Sequence, residues 1–578
     1  MLAASIAGAV VLAAGAYSYA EKAWNGVVDY ESPYAAVDLP ASTETSVVAP
    51  RVVLVIVDGL RLDASRRMSS MESLRGYGAD LVVSTAEPSL SYPNWTTILS
   101  GTTQDHHGVV TNWHEGASPV ETLLDTADRA NVPFVVVGPS DLATLYPAAL
   151  QADASYFDEW SDEYLSATYV DKTLEFVAEK NPRFVLLHLP DIDESGHDFG
   201  GTSDEYETTV ARVDGDLRRL VEGLQDTQTA FVVVSDHGHV DSGGHGGWEA
   251  EVTRVPCVIA GAGVRAMQGE AAQEDVAPTV AVLAGLPVPR HSTGTPIAAT
   301  LGSGAAKGRA AARLQRGAAV AAFMRVLGGA DGDAGRPPFV AETTDSEITA
   351  SFAAARSARL ERDRESRRLG TGLFLSASSL AALLLAGTAS WRALVAALSG
   401  SAAYYAVYNG LFFLVHGNRW SLSAFNSEDL MDSWMNTRLI EAAVAGLIAA
   451  AVASVVYPML RREPKGPHGR YLAGWLTLGP LAVMVTQLTL ALQIAWFDWA
   501  WGVTPVWGLP DLMWGFKFDL DLVQVTALGV AAVLAPVVSY VVGRYHPRMR
   551  AQRSVGKDFA EEDTASAAPL PTLRSDID

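Results

Sequence analysis

The 578-residue chain has a single cysteine, Cys257. No disulfide framework can form within it, whichever compartment it occupies, so the fold must rest on burial and hydrogen bonding. Positive charge is also scarce. Lys and Arg number 42 against 65 Asp and Glu, for a formal net charge of -23. Nucleic-acid backbones are bound through basic patches, and this balance argues against such a partner. Charged residues make up 19% of the chain and hydrophobic ones 49%, too apolar for a purely soluble protein. The apolar residues are unevenly spread. Residues 21–368 read as water-soluble, whereas 370–543 hold long apolar runs separated by short polar loops.

Residues 2–20, LAASIAGAVVLAAGAYSYA, carry no charge. About 20 such residues suffice to span a bilayer. A cleaved signal peptide is the alternative, but the later apolar segments favour an amino-terminal transmembrane anchor over 1–22. Five further segments approach spanning length: 371–389, 393–415, 438–458, 472–496 and 522–543, a five-helix membrane domain within 370–543. The loop LRREPKGPHGR (460–470) and the tail 544–578 are basic near the apolar segments. The loops 417–437 and 497–521 are instead acidic and tryptophan-rich. Basic loops face the cytoplasm. The tail is therefore expected in the cytoplasm and residues 45–300 on the extracytoplasmic side, joined to the membrane by a helical linker over 301–369. The stretch RSARLERDRESRRLG (356–370) objects, being Arg-rich on the outer side. Its interleaved acids read as a solvated juxtamembrane helix.

Within the soluble part, short β-branched runs alternate with helical periodicity. RVVLVIVDG (51–59), VPFVVVG (132–138), RFVLLHLPD (183–191), AFVVVSDHG (230–238) and VPCVIAGAG (255–263) read as buried strands. Helices are expected around 118–130, 161–180, 204–226 and 272–285. Strands apolar throughout and separated by helices predict an α/β fold with a mostly parallel sheet flanked by helices on both faces. The functional crevice of such a sheet lies at the carboxyl ends of its strands. Three strands end there on acids: Asp58, the Asp191/Asp193 pair and Asp236.

Histidines accompany those acids. LPDIDESGHDFG (189–200) sets Asp193 and His197 four apart, and SDHGHVDSGGHGG (235–247) supplies Asp236, His237, His239, Asp241 and His245. Glycines between them allow close approach of the backbone and convergence of side chains. Carboxylate oxygen with imidazole nitrogen is a ligand mix for zinc, with manganese or iron as alternatives. The pattern predicts a metal site.

These motifs resemble, in order across about 51–296, the alkaline phosphatase superfamily. The branch is that of type I phosphodiesterases and nucleotide pyrophosphatases, together with the membrane enzymes that transfer phosphoethanolamine to glycosylphosphatidylinositol (GPI) lipids. VIVDGLRLD is similar to the first metal motif. PSLSYPNWTTILSG (88–101) with HHGVVTNW is similar to the nucleophile motif and its pocket segment. DIDESGH, SDHGH and GGHG are similar to the remaining ligand motifs, and EDVAPTVAVLAGLPVPRHSTGTP to the closing helix and loop. The anchor, outward domain and carboxy-terminal bundle are similar to the GPI phosphoethanolamine transferase layout.

The resemblance implies two divalent metal ions, expected to be Zn2+ with Mn2+ as the alternative. One would be held by Asp58, Ser91, Asp236 and His237, the other by Asp193, His197 and His245. It implies Ser91 as nucleophile, Asn94 as a donor to a phosphate oxygen, and His107 and Asn112 as pocket scaffold. Two such cations about 4 Å apart can clamp a phosphoryl group, and coordination lowers the pKa of a serine hydroxyl. If a helix starts after Pro93, its amino terminus would also face the anion. The resembled branches carry threonine where Ser91 stands, which preserves the hydroxyl. The sulfatase motif C/S-x-P-x-R is broken by Trp95, which argues against a sulfatase. Asp191, His239, Asp241 and His106 are left as second-sphere or plain loop residues.

The expected activity is transfer of a phosphoethanolamine-like group from a phosphodiester or phospholipid donor to a lipid or glycolipid, through a phospho-serine intermediate. The alternative is a membrane-anchored phosphodiesterase or nucleotide pyrophosphatase with water as acceptor. A non-catalytic membrane scaffold is a third reading, opposed by the complete ligand set.

Overall fold

The computed structural model describes residues 2–43, 46–159, 163–328, 339, 343–427, 430–460, 475–503 and 512–545. The basic stretch 461–470, Trp507 and the tail from 546 onward lie outside the described residues.

Eight strands form one sheet: β1 (Arg51–Val57), β2 (Ala79–Ser84), β3 (Phe134–Pro139), β4 (Ala154–Asp158), β5 (Phe184–Leu189), β6 (Thr229–Val234), β7 (Arg254–Gly261) and β8 (Met267–Ala272). Their order is β4-β3-β5-β1-β6-β7-β2-β8. β1 runs at the centre, parallel to β5 and β6, with Val55 opposite Leu187 on one side and Val233 on the other. β7 is antiparallel to both its neighbours, β6 and β2.

The central strands are apolar throughout because both faces are covered. Val52, Leu54 and Ile56 of β1 join one buried cluster with Trp95, Ile98, Leu99 and the Val276–Ala284 helix. Val53, Val55 and Val57 join the other with Tyr169, Val170, Tyr206 and Leu217 of the Ser166–Lys180 and Asp204–Leu224 helices. The expected α/β fold with a mostly parallel sheet is thus present. β2, β4 and β8 went unread in the sequence. β4 (ASYFD) and β8 (MQGEAA) are the sheet's edge strands, partly exposed and without a long apolar run.

Four helices are long and apolar enough to cross a membrane among the described residues: Leu2–Val28, Met431–Met459, Leu478–Trp501 and Gly515–Tyr545. They pack with the Trp391–Asn409 helix around a core rich in alanine, from Ala9 through Ala397, Ala449 and Ala482 to Ala531. Small residues let these helices approach closely. The predicted span at 371–389 includes residues 385, 386 and 388, whose side chains lie outside the described residues, and that at 393–415 is not among the four. The first is the end of one 44-residue helix, Asp345–Thr388, whose earlier turns are charged. The second is divided, an α-helix to Asn409 and a π-helical turn, wider in radius, over Gly410–Val415.

The Arg-rich stretch in the Asp345–Thr388 helix is more than a solvated face. Arg356 pairs with Asp105 of the α/β domain at 3.1 Å. Arg362 donates to the Gly328 carbonyl at 3.0 Å, and Arg367 pairs with Asp498 of the Leu478–Trp501 helix at 3.1 Å. Arg364 donates to the Ala500 carbonyl. The helix is a strut tying the α/β domain to the bundle.

Candidate metal centre and catalytic pocket

The residues that meet at one point come from loops following the central strands. Asp58 follows β1, the Asp191–Phe199 helix follows β5, and Asp236 and His237 follow β6. Gly59 makes the convergence possible: it has φ +68°, and a Cβ there would lie 2.7 Å from the Asp193 Cα. Ser91 is the first residue of the Ser91–Ser100 helix. The helix therefore begins before Pro93, not after it. Proline is tolerated there because the first helical N–H groups have no partner within the helix. Ser91 Oγ thus sits at the positive end of the helix dipole.

The side chains are packed closely. His237 Nε2 lies 3.3 Å from Asp58 Oδ1, 3.4 Å from Asp236 Oδ2 and 3.2 Å from Ser91 Oγ. His197 Nε2 lies 3.4 Å from Asp193 Oδ2 and 3.1 Å from His245 Nε2. His245 Nε2 is 3.7 Å from Asp193 Oδ1. Three overlapping groups have ligand atoms within 4.8 Å of one another: Asp58, Asp236 and His237; Asp193, His237 and His245; and Asp193, His197 and His239.

The donor set fits a pair of cations. His237 Nδ1 faces the Gly238 carbonyl at 3.3 Å, and His245 Nδ1 faces the Ser89 carbonyl at 3.0 Å. With the proton assigned to Nδ1 in each, both Nε2 lone pairs point at carboxylates or at another imidazole. Asp58 Oδ1 is buried and has no hydrogen-bond partner among the described residues. Burial pushes the Asp58 carboxyl up, and the charges of Asp236 and Asp193 push it further. Burial raises Asp236 as well, with Asp193 adding to it. Lone pairs and carboxylates turned on one another inside the protein are stabilised when a cation lies between them. The cluster is a candidate two-metal site.

All seven expected ligand residues, Asp58, Ser91, Asp193, His197, Asp236, His237 and His245, are brought together. His239 joins them: its Nε2 lies 2.8 Å from Asp193 Oδ1. Asp191, Asp241 and His106 are elsewhere. Asp191 accepts from the Leu165 and Ser166 amides at 2.8 Å, Asp241 pairs with Arg61 at 2.9 Å, and His106 stacks on Phe323.

Asn94 does not face the pocket. Its amide nitrogen donates to the Asp236 carbonyl at 2.9 Å, and its oxygen accepts from Gln104 at 2.9 Å. Both ends are used in bracing the Asp236 loop, so the expected contact to phosphate is replaced by a bracing role. His107 is also behind the helix. Its Nε2 meets Thr97 Oγ1 at 3.2 Å, and burial pushes the imidazole down to about 3. Asn112 does line the pocket, and its oxygen accepts from the Tyr92 amide at 2.9 Å.

Two participants went unread in the sequence. Trp95 donates its indole N–H to Asp236 Oδ2 at 2.9 Å and faces Asp58 Oδ2 at 3.2 Å. His188 of β5 approaches Asp58 Oδ2 at 2.9 Å through Nε2, and burial pushes it down to about 3, so it is neutral. The signal for His188 was a lone imidazole in an otherwise apolar strand, FVLLHL. The pocket has a volume of about 310 Å³. Its walls include Ser91, Asp193, Glu194, His197 and His245, and also Phe425, Asn426 and Ser427 from the loop between two bundle helices.

Residues 52–249 match the family described as type I phosphodiesterase / nucleotide pyrophosphatase. The chain is 26% identical over 309 residues to GPI ethanolamine phosphate transferase 1 of Mus musculus, covering 44% of this chain and 33% of that protein. It is 25% identical over 310 residues to the Homo sapiens protein of the same name, covering 44% and 33%. The matched region thus spans about a third of the length of these curated relatives. Among solved structures, murine ectonucleotide pyrophosphatase / phosphodiesterase 5 matches with a TM-score of 0.36 at 15% identity, covering 41% of this chain and 96% of that one. The alkaline phosphatase PafA matches with a TM-score of 0.38 at 14% identity, covering 44% and 100%.

Proposed function

We propose that residues 52–249, which match the type I phosphodiesterase / nucleotide pyrophosphatase family, form the catalytic domain of a membrane phosphoethanolamine transferase. It takes the headgroup of a phospholipid and passes it to a lipid or glycolipid hydroxyl. The observation that carries this reading is the pocket wall. Phe425, Asn426 and Ser427, from a loop between bundle helices, share the cavity with Ser91 and His245. A substrate whose tail stays in the bilayer suits a cavity built jointly by the two domains. The similarity to GPI ethanolamine phosphate transferase 1 of Mus musculus and Homo sapiens points the same way.

Asp58, Asp236, His237 and Ser91 would hold one metal ion, and Asp193, His197 and His245 the other, with zinc the expected element. Bound there, the pair would lower the pKa of Ser91 Oγ and offset charge on the phosphoryl oxygens. Ser91 Oγ attacks phosphorus at the helix amino terminus. The bond from phosphorus to the diacylglycerol oxygen breaks, the Ser91 proton leaves to water, and the departing alkoxide takes one back. Asn112 donates its amide N–H to a phosphoryl oxygen. Glu194 faces the ammonium of ethanolamine. In the second half an acceptor hydroxyl attacks phosphorus, loses its proton to water, and Ser91 is released with a proton regained. The catalytic domain is read as extracytoplasmic, from the charge of the loops.

The test is headgroup-labelled phosphatidylethanolamine in vesicles with a membrane lipid extract and the purified protein. Label appearing on a second lipid supports transfer. Release of free phosphoethanolamine alone makes the protein a hydrolase and sinks the transferase reading.

A further inference from the structure

The loop that walls the pocket does more than fill space beside it. It leaves the Trp391–Asn409 helix, passes Leu422–Phe425 and enters the Met431–Met459 helix. On the way it clasps the glycine-rich turn of the α/β domain. Ser421 and Ser423 donate their hydroxyls to Glu249 Oε2 at 2.9 and 3.0 Å, and Ser423 Oγ accepts the Gly247 amide at 3.1 Å. Trp248 donates its indole to the Trp420 carbonyl at 3.1 Å. The turn is bare of side chains where the loop arrives. A Cβ on Gly243 would lie 2.8 Å from Asn426 Oδ1, and one on Gly244 would lie 2.6 Å from the Ser423 carbonyl oxygen.

Asn426 stands at the end of that approach. Its amide nitrogen donates to the His197 carbonyl at 2.8 Å, and its oxygen faces His197 Nδ1 at 3.4 Å. Its backbone has φ 64°, ψ −60°, and the Ser427 amide closes onto the Phe425 carbonyl at 2.8 Å. This is a three-residue turn with positive φ, a strained form that persists where surrounding contacts hold it. Asn181, by contrast, has φ 47° and ψ 55°, the ordinary left-handed cap that asparagine tolerates.

We propose that Asn426 is a positioning residue for the metal centre, supplied by the membrane domain: by accepting from His197 Nδ1–H it presents the His197 Nε2 lone pair to the ion shared with Asp193 and His245. This rests on the reading of His197 as a metal ligand given above. A histidine ligand is oriented, and its tautomer fixed, by the acceptor on its other nitrogen. Here that acceptor is an asparagine amide from a membrane loop 229 residues away in sequence. The second metal position is therefore complete when the loop is seated on the α/β domain.

The experiment is zinc titration of the full-length protein in nanodiscs, against a competing chelator, with bound metal counted by mass spectrometry. Asn426→Gly adopts the positive φ freely, so it removes the side chain without adding backbone strain. It is expected to weaken one of two zinc sites by about 10–100-fold and leave the other unchanged. Asn426→Asp keeps an acceptor for Nδ1–H and is expected to recover most of that affinity. Both sites unchanged in Asn426→Gly, while His197→Ala loses one zinc, overturns the inference and leaves the metal reading standing. Both sites unchanged in His197→Ala overturns the metal reading itself. If Asn426→Gly does not fold, the paired Ser421→Ala and Ser423→Ala variant loosens the loop's hold on Glu249. It is expected to weaken the same single site, and unchanged affinity there also overturns the inference.

Discussion

Trp95 shows how one side chain can serve the core and the chemistry together. Its ring is fully buried in one sheet-face cluster, and its N–H reaches the Asp58 and Asp236 carboxylates. Trp95→Phe keeps most of the apolar volume and deletes the donor. The expected cost is about 1–3 kcal/mol of stability, read by denaturant unfolding, with weaker zinc binding at the Asp58 position. Glu274 offers a pH test away from the metals. Burial, then the charge of Asp275, pushes its carboxyl from 4.5 up to about 7. The folded state then holds the proton more tightly than the unfolded chain. That contribution is full below about 4.5 and is lost as pH rises through about 7. Glu274→Gln should therefore raise Tm over the wild type more at pH 8 than at pH 5. Glu194→Gln should raise KM for phosphatidylethanolamine while leaving a donor without an ammonium unaffected. At this scale the clustered acids and histidines were legible as candidates, because glycine-bracketed Asp and His at strand ends have few other uses. Asn94 is bonded to the Asp236 carbonyl and Gln104, whereas Asn112 lines the pocket. Both are asparagines near the nucleophile, and no local pattern tells which one a buried carbonyl will claim.

The sheet's central strands were legible as elements since burial on both faces leaves an unbroken apolar run, as in RVVLVIV of β1. Edge strands carry no such run, and β4 and β8 passed as loops. The 44-residue helix Asp345–Thr388 runs through the expected boundary at 369/370. Its charges look like a solvated segment, yet they are matched by partners on two other elements. Arg356 holds Asp105, and Arg367 holds Asp498. Alanine at both positions should loosen the link between the α/β domain and the bundle while leaving each folded. Limited proteolysis should then separate the α/β domain from the bundle faster in the variant than in the wild type. Arg356 and Arg367 are partly exposed but Asp105 and Asp498 are largely buried, and a buried carboxylate stripped of its partner is destabilising. Tm should therefore fall as the link loosens, and an unchanged Tm would contradict this division of roles.

The whole molecule joins a candidate two-metal centre to a bundle through one pocket. Neither half forms that pocket alone. Its inner wall comes from strand ends legible in the sequence, and its outer wall from Phe425, Asn426 and Ser427. That wall was hidden because a short polar loop between apolar segments has no signature of its own, and its partner is the glycine turn 243–247. Removing metal with a chelator should lower Tm as well as stop turnover, since Asp58, Asp193 and Asp236 would then face one another without a cation. The central claim is covalent catalysis by Ser91, and acid quenching during turnover of headgroup-labelled phosphatidylethanolamine tests it most directly. Peptide mapping should find phosphoethanolamine on Ser91, and none in Ser91→Ala, which should also lose about 10³-fold or more in kcat. Steady transfer with no label on Ser91, or full turnover by Ser91→Ala, would contradict the account.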